Sequence, residues 1–137
     1  MLMKEKATAV LDSENYLTKV THRHHEYFTD EPSDVGGKDK YATPEELLLG
    51  ALASCVATTL RMYASRKGWD LGIIGVEVSM RSFKTDHGAE FEFNQSFTFS
   101  NSAMLTFSQM DRLVQIAKKC PVAQIIQKTT NINYVLG

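Results

Sequence analysis

The most strongly patterned stretch of the chain lies between Thr43 and Gly68 and carries signals for both ends of a helix. Thr43 is followed three residues later by Glu46, which is the spacing of a capping box at a helix start. Gly68 suits the left-handed conformation that ends many helices. Between these ends, residues 47–57 are apolar on nearly every face, which is typical of a buried helix. The pattern predicts one long central helix with Cys55 at its middle.

Apolar residues that alternate with polar ones predict strands on both sides of this helix. Residues 4–11 and 16–22 are predicted to form a hairpin, and residues 24–29 a third short strand. After the helix, residues 74–83 are predicted to pair with a strand that has phenylalanines on one face and polar residues on the other. We expect these phenylalanines to pack on the long helix. They are Phe91, Phe93, Phe97 and Phe99.

The last third of the chain predicts two helices and a final strand. Apolar residues at helical spacing indicate a helix over residues 107–119. Pro121 suits the first position of a further short helix that continues over residues 122–128, with Cys120 as its N-cap. Residues 131–136 are predicted to form a closing strand. The order of elements indicates an α+β fold, in which an antiparallel sheet packs around the long buried central helix.

Length and charge narrow the class of protein. The 137 residues suit a single domain, residues 1–137. The chain has 15 basic and 16 acidic residues and a net charge of −1, which argues against a nucleic-acid or membrane-surface partner. The apolar run 47–57 is too short to span a bilayer, and the N-terminus shows no secretory signal. We therefore expect a cytoplasmic protein.

The two cysteines, Cys55 and Cys120, are candidates for nucleophilic chemistry, because a thiolate is a strong nucleophile. A permanent disulfide is not expected in a cytosolic protein of this size. As an N-cap, Cys120 faces free backbone N–H groups, so local physics predicts that it is the more acidic thiol. Cys55 lies in mid-helix and needs a nearby cation to become reactive. For both cysteines, burial as plain core residues is the alternative.

Glu45 is the carboxylate whose position raises a question of geometry. Ten residues separate it from Cys55, so their Cα atoms stand about 15 Å apart along a straight helix. The two side chains of one straight helix cannot touch. Either the first turn bends away, or a second copy of the helix packs antiparallel and brings its Glu45 to this Cys55. The second arrangement is a symmetric dimer with a shared site.

The segment from His22 to His25 contains three histidines and one arginine. His22 and His24 can share one face of a strand, but two imidazoles make a poor metal site without a carboxylate or cysteine in register. Arg23 is predicted on or beside that strand, facing the opposite way. A buried Arg23 would need a carboxylate and could polarise a thiol. A solvated arginine at a strand end is the alternative.

Four motifs identify a family resemblance. They are D-E-P at 30–32, G-G at 36–37, T-P-E-E-L-L-L-G-A-L-A-S-C-V-A-T-T-L at 43–60 and K-K-C-P-V-A at 118–123. Together they resemble the OsmC/Ohr family, the osmotically inducible and organic hydroperoxide resistance proteins. The resemblance covers nearly the whole chain. It implies an entwined homodimer with two active sites at its interface, and a thiol peroxidase that needs no metal or haem.

The resemblance also implies a role for each thiol. Cys55 matches the peroxidatic thiolate, and Cys120 matches the resolving thiol that converts a sulfenic acid into a disulfide. The implied reductant is a dithiol, typically dihydrolipoamide on a carrier protein. Organic hydroperoxides are the expected substrates, in preference to hydrogen peroxide. The residues expected to line their pocket are Leu48, Leu52 and Tyr63.

The activating cation is the least defined part of the resemblance. Glu45 matches the family glutamate that orients an arginine, and Arg23 lies at a place comparable to the arginine of the Ohr branch. The OsmC branch carries its arginine in the loop before the long helix, where this chain has Lys38 and Lys40. A lysine supplies charge but not the bidentate fork of arginine. The alternative function is a non-catalytic dimer of the same fold that binds a small apolar or reactive-sulfur ligand.

Overall fold

The structure is a computed structural model that describes residues 5–128 and 130–137. The chain divides into two compact units, the first ending at Leu48 and the second beginning at Leu49. The first unit contains three strands and the short 3-10 helix Ser33–Val35. The second contains a two-stranded sheet, the 3-10 helix Ser102–Met104 and two α-helices, and the long helix α1 (Pro44–Lys67) crosses the boundary. The α+β class predicted from the sequence is confirmed.

The first unit is an antiparallel sheet in the order β1 (Thr8–Leu11), β2 (Thr18–His22) and β3 (His25–Thr29). Val20 on the central strand pairs with a residue of each neighbouring strand. The predicted hairpin and third strand are confirmed, although the part of the first predicted strand that precedes residue 5 lies outside the described residues. His22 pairs with His25, so the connection between β2 and β3 is a two-residue turn.

The loop after β3 is organised by one buried carboxylate. Asp30 is 2% exposed. Its side chain accepts hydrogen bonds from the backbone N–H groups of Glu31 at 2.8 Å, Lys38 at 3.3 Å and Lys40 at 3.2 Å. The hydrogen bond from Glu31 is the main reason why the pKa of Asp30 is lowered, and the amides of Lys40 and Lys38 act in the same direction. A single side chain therefore fixes the course of the loop.

Helix α1 begins and ends as the sequence predicted. The Thr43 hydroxyl accepts from the Glu46 backbone N–H at 3.2 Å, and the Glu46 carboxylate accepts from the Thr43 backbone N–H at 3.5 Å. These two bonds form the capping box. Gly68 follows the helix with a φ of 72°, the left-handed conformation that favours glycine at this position. Local sequence therefore sets both ends of α1.

The prediction that α1 is buried on nearly every face is wrong for this chain. Only one stripe of the helix is fully buried, and several positions on its other side are exposed. Among the described residues, the buried positions are five of the 24 in the helix. The buried stripe consists of Leu52, Val56, Leu60, Tyr63 and Ala64. The exposed positions include Leu48, Ala51, Ser54, Thr58 and Met62.

Within the described residues, α1 is the one helix that is long and apolar enough to cross a membrane by length and composition. The longest apolar run within it, 47–57, contains Ser54 and is much shorter than the helix. The same length and composition occur in core helices of water-soluble proteins, and α1 supplies five core residues of the second unit. The length and composition of α1 are therefore weak evidence for a membrane span.

The second sheet is an antiparallel hairpin of β4 (Ile74–Thr85) and β5 (Gly88–Phe99). Its apolar face packs against the core with six side chains. They are Ile74, Val76, Val78, Phe93, Phe97 and Phe99. Phe91 was predicted to pack with them, but it is 61% exposed. It pairs with Ser82, nearer to the turn than the side chains that reach the core.

Two short helices complete the core, α2 (Phe107–Ala117) and α3 (Pro121–Gln127). The apolar residues at helical spacing that predicted α2 are Phe107, Met110, Leu113, Val114 and Ala117. As a buried stripe they are partly wrong, because Phe107 is 88% exposed and Ile116 takes part in the core. The predicted strand over residues 131–136 is also wrong for this chain: residues 130–137 have no regular structure. A strand requires a neighbouring strand for its backbone hydrogen bonds, and this segment has none among the described residues.

Candidate active site

The structure brings Cys55 and Cys120 together. Cys55 lies on α1 and Cys120 is the N-cap of α3, and their side chains are within hydrogen-bond reach of each other. Both thiols are free. Cys120 is fully buried in the core of the second unit, whereas Cys55 packs against that core and stays partly exposed. Two thiols 65 residues apart in sequence thus form one pair, in which only Cys55 is open to an incoming molecule.

The pKa of Cys120 is raised, and burial of its side chain is the largest cause. The hydrogen bond with Cys55 and the charge of Cys55 raise it further. The backbone N–H groups of Ala123 and Val122 lower the pKa of Cys120, as expected at a helix N-terminus, but their effect is smaller than that of burial. Burial therefore outweighs the helix N-terminus, on which the prediction of Cys120 as the more acidic thiol rested. Local sequence showed the helix start and not the depth of burial.

The three residues predicted to line a substrate pocket lie in different surroundings. Leu52 is fully buried in the core, and Tyr63 lies further along the same buried stripe of α1. Leu48 is exposed. Leu52 is one turn from Val56 and precedes Cys55 by three residues, so it belongs to the apolar packing beside the thiol pair.

Arg23 lies in the two-residue turn between β2 and β3 rather than on a strand. Its φ is 53°, a left-handed conformation that is uncommon for arginine. The predicted shared face of His22 and His24 is wrong for the same reason, since His24 is the other residue of the turn. His22 instead hydrogen bonds through Nε2 with the Tyr27 hydroxyl at 2.8 Å, and the ring of His24 lies beside that of His25.

Lys38 and Lys40 are both directed at one carboxylate. The Lys38 Nζ lies 2.5 Å and the Lys40 Nζ 3.9 Å from Oε1 of Glu14. The hydrogen bond with Lys38 is the main cause that lowers the pKa of Glu14, and the same bond raises the pKa of Lys38. Glu14 lies between the two predicted strands 4–11 and 16–22, and no local pattern indicates this partner, which lies 24 residues before Lys38.

Glu45 lies in the first turn of α1 and is exposed. Among the residues that the structure describes, neither Glu45 nor Arg23 takes part in an ion pair. The predicted pair of these two side chains is therefore not formed within the described part of one chain.

A further polar contact in the core escaped the sequence analysis. Arg112 on α2 donates a hydrogen bond from Nε to the Tyr63 hydroxyl at 3.0 Å. Tyr63 is 8% exposed, and Trp69 contacts its ring edge-on. A tyrosine on a buried helix stripe needs a partner for its hydroxyl. The one signal in the sequence for this partner is that Arg112 directly precedes the core residue Leu113.

With the geometry described, the chain can be compared with known proteins. The sequence model of the family described as OsmC-like protein matches residues 37–135. This range contains both cysteines, Glu45 and the whole of α1. No protein of curated function matches the chain in sequence.

Solved structures share the fold. A putative osmotic stress induced and detoxification response protein from Psychrobacter arcticus is 25% identical, with a TM-score of 0.72 over 93% of this chain and 90% of that one. An organic hydroperoxide resistance protein OsmC from Legionella pneumophila is 19% identical, with a TM-score of 0.68 over 93% and 91%. An OsmC-like protein of unknown function from Vibrio cholerae is 13% identical, with a TM-score of 0.75 over 92% and 95%.

Proposed function

The chain belongs to the OsmC-like protein family, and from this premise we propose that it is a thiol peroxidase that reduces organic hydroperoxides. Hydrogen peroxide is a poorer substrate. In this proposal Cys55 is the attacking thiol, Cys120 is the resolving thiol, and a dithiol recycles the pair. The name of the Legionella pneumophila structure, an organic hydroperoxide resistance protein, supports the same reaction class.

The observation that carries the proposal is the contact between the two thiols. A disulfide requires two cysteines whose backbones are already close, and these side chains are within hydrogen-bond reach. Their unequal exposure supports the order of events. Cys55 is the thiol that a peroxide can reach, and Cys120 is held behind it with its proton retained by burial. The alternative of a non-catalytic binding dimer would be favoured by thiols too far apart to join, which is not the arrangement seen.

The first step oxidises Cys55. Its thiolate attacks one oxygen of the hydroperoxide, an S–O bond forms and the O–O bond breaks. The sulfur becomes a sulfenic acid, and the alkoxide takes up a proton and leaves as an alcohol. The sulfur loses two electrons and the peroxide gains them.

The second step joins the two sulfurs. The Cys120 sulfur attacks the sulfenic acid sulfur, an S–S bond forms and the S–O bond breaks. The hydroxyl group takes up the proton of Cys120 and leaves as water. A dithiol such as dihydrolipoamide on a lipoylated carrier protein then reduces the disulfide by two thiol exchanges and becomes a disulfide itself. The resolved Cys55 is protected from further oxidation.

The proposed active form is an entwined homodimer with a shared site. Helix α1 is continuous from Pro44 to Lys67, so its own Glu45 does not fold back to Cys55. A second copy packed antiparallel would cover the exposed positions of α1 and bring its Glu45 to the thiols. In this arrangement Glu45 holds Arg23, and the guanidinium stabilises the Cys55 thiolate and the leaving oxygen.

The substrate pocket in this proposal is apolar and is lined by Leu48, Leu52 and Tyr63. Such a lining favours an alkyl hydroperoxide over hydrogen peroxide, because burial of the alkyl group adds binding free energy. The reaction needs no metal or haem, since the sulfur carries the electrons. We place the protein in the cytoplasm, where dithiol reductants keep cysteines reduced.

The proposal is tested by peroxide turnover with dihydrolipoamide as the reductant and tert-butyl hydroperoxide as the substrate. The wild type should consume peroxide continuously, and Cys55→Ser should abolish turnover. Cys120→Ser should consume about one equivalent and then fail to recycle efficiently. Full activity of Cys55→Ser would show that the assignment is wrong.

A further inference from the structure

Several cations surround the hydroxyl end and the ring of Tyr63. The Arg112 guanidinium carbon lies 5.6 Å from the centre of the Tyr63 ring, in addition to the hydrogen bond from Nε to the hydroxyl. The Lys67 Nζ lies 5.8 Å from the same ring centre. Lys119 is near enough for its charge to act on the phenol. Lys67 comes from the end of α1, and Arg112 and Lys119 come from α2 and the residues just after it.

No acid neutralises these cations within the described part of the chain. Arg112, Lys67 and Lys119 form none of its ion pairs, which instead join Lys38 and Lys40 to Glu14, Lys19 to Glu26, and Arg81 to Glu92. The pKa of Tyr63 is lowered, first by the hydrogen bond from Arg112 and further by the charges of Arg112, Lys67 and Lys119. The surroundings of the phenol therefore favour a negative charge.

The polar groups around Tyr63 are almost all hydrogen-bond donors. The Tyr63 hydroxyl accepts from Arg112 and still has its own proton to donate. Arg112 uses only Nε in this bond, so its terminal nitrogens remain for another acceptor. The two lysines add ammonium groups, and Arg112, Lys67 and Lys119 are solvent-exposed. The contacts therefore place a guanidinium and an ammonium group beside one phenol.

We propose that Arg112, Tyr63 and Lys67 form a binding site for a phosphate group. A phosphate at neutral pH carries more than one negative charge and several acceptor oxygens, so it can engage two cations and a phenol at once, which a single carboxylate does less well. The site shares Tyr63 with the proposed substrate pocket, but Arg112 and Lys67 take no part in the proposed thiol chemistry, so phosphate binding goes beyond the proposed peroxidase function. Tyr63 follows Cys55 by eight residues, which is about 12 Å along α1.

The direct test is isothermal titration calorimetry of the whole chain with inorganic phosphate and, separately, with glycerol phosphate in a low-salt buffer free of other oxyanions. Saturable binding of either ligand by the wild type is expected. Tighter binding of glycerol phosphate would identify a phosphomonoester, and equal or weaker binding would identify free phosphate. Arg112→Gln should weaken binding at least about tenfold, and Tyr63→Phe about threefold, since each removes donors to the anion.

Lys84→Gln is the matched control, because it removes one exposed positive charge from β4 without touching the cluster. It should change the affinity by less than about twofold. Absence of saturable binding, or equal weakening by Lys84→Gln and Arg112→Gln, would overturn the proposal. Unchanged melting temperatures of the variants would show that losses of affinity are local.

A second readout uses the ionisation of Tyr63. A bound dianion disfavours the phenolate, so phosphate should raise the pKa of Tyr63 by linkage. The absorbance titration of tyrosine, as the difference between wild type and Tyr63→Phe, measures this shift. A pKa of Tyr63 that is insensitive to phosphate would contradict the site. The formation of the Cys55–Cys120 disulfide in Arg112→Gln reports on the peroxidase proposal independently.

Discussion

The thiol pair and its candidate activating cations are built in different ways. Cys55 and Cys120 are brought together by the packed core of the second unit, where burial is deep enough to raise the pKa of Cys120. In the first unit, Arg23 sits in an exposed turn, and Lys38 and Lys40 face Glu14 at the surface. The two sulfurs therefore form a pair within one unit of a single chain. In the proposed mechanism, a second copy of the chain contributes the Glu45 that holds the activating Arg23.

The largest expected effect comes from loosening the core that holds the thiol pair. Leu113→Ala removes a fully buried side chain of α2 and should lower the free energy of unfolding by about 2–5 kcal/mol. Disulfide formation after peroxide treatment should become slower and less complete in the same variant. Chemical denaturation and free-thiol counts measure the two effects. Val114→Ala, at an exposed neighbouring position, is the control and should cost less than about 1 kcal/mol.

Next in size is the loss of the proposed activating cation. Arg23→Gln should slow the oxidation of Cys55 by about 100-fold, because one charged donor to the thiolate and leaving oxygen is removed. Stopped-flow kinetics with tert-butyl hydroperoxide measure the rate. Arg23→Lys should recover part of it, since lysine restores charge without the fork. A rate unaffected by Arg23→Gln would remove Arg23 from the mechanism.

The first unit should lose stability at acid pH, whereas the second unit should lose stability at alkaline pH. Glu14 and Asp30 have folded pKa values below their ordinary 4.5 and 3.8, so their contribution to stability is present above those values and is lost as the pH falls through the lower folded values. Cys120 has a folded pKa above its ordinary 9.0, so its contribution is present below pH 9.0 and is lost as the pH rises through the higher value.

Melting curves across pH test this contrast with one variant for each region. Asp30→Asn should reduce the loss of stability on the acid side and leave the alkaline side unchanged. Cys120→Ala should remove the contribution of the buried thiol on the alkaline side and leave the acid side unchanged. If both variants altered the same limb of the stability profile, the assignment of the two pKa shifts to separate regions would fail.

The smallest expected effect concerns the two lysines. Glu14→Gln releases Lys38 and Lys40 from their shared carboxylate at the surface, where an ion pair contributes little to stability. If Arg23 is the activating cation, the rate of Cys55 oxidation should change by less than about twofold. A rate that rises several-fold would instead show that a freed lysine can activate the thiol.

Local signals in the sequence predicted local structure well. Both ends of α1 follow from residues that act on the backbone of the helix itself. The alternation of apolar and polar residues in β5 follows from its pairing with the adjacent strand β4. Residues 131–136 have the alternation of a strand, but a strand forms only beside another strand. The exposed side of α1 was unpredictable for a related reason, since composition does not say which elements cover a helix.

The sequence predicted which cysteines form the candidate site, but not how acidic they are. The resemblance named both cysteines, and the structure brings them into contact. The acidity of Cys120 was misjudged because a helix N-terminus is visible in sequence and burial is not. Glu14 and Arg112 were missed because their partners lie 24 and 49 residues away, beyond any local pattern.

The most direct test of the proposed thiol chemistry is intact mass and free-thiol count after one equivalent of tert-butyl hydroperoxide, without reductant. We expect a loss of two hydrogens and of both thiols, which is the signature of an intramolecular Cys55–Cys120 disulfide. Folded protein that keeps two reduced thiols would contradict it and would make the pair a packing feature of the core.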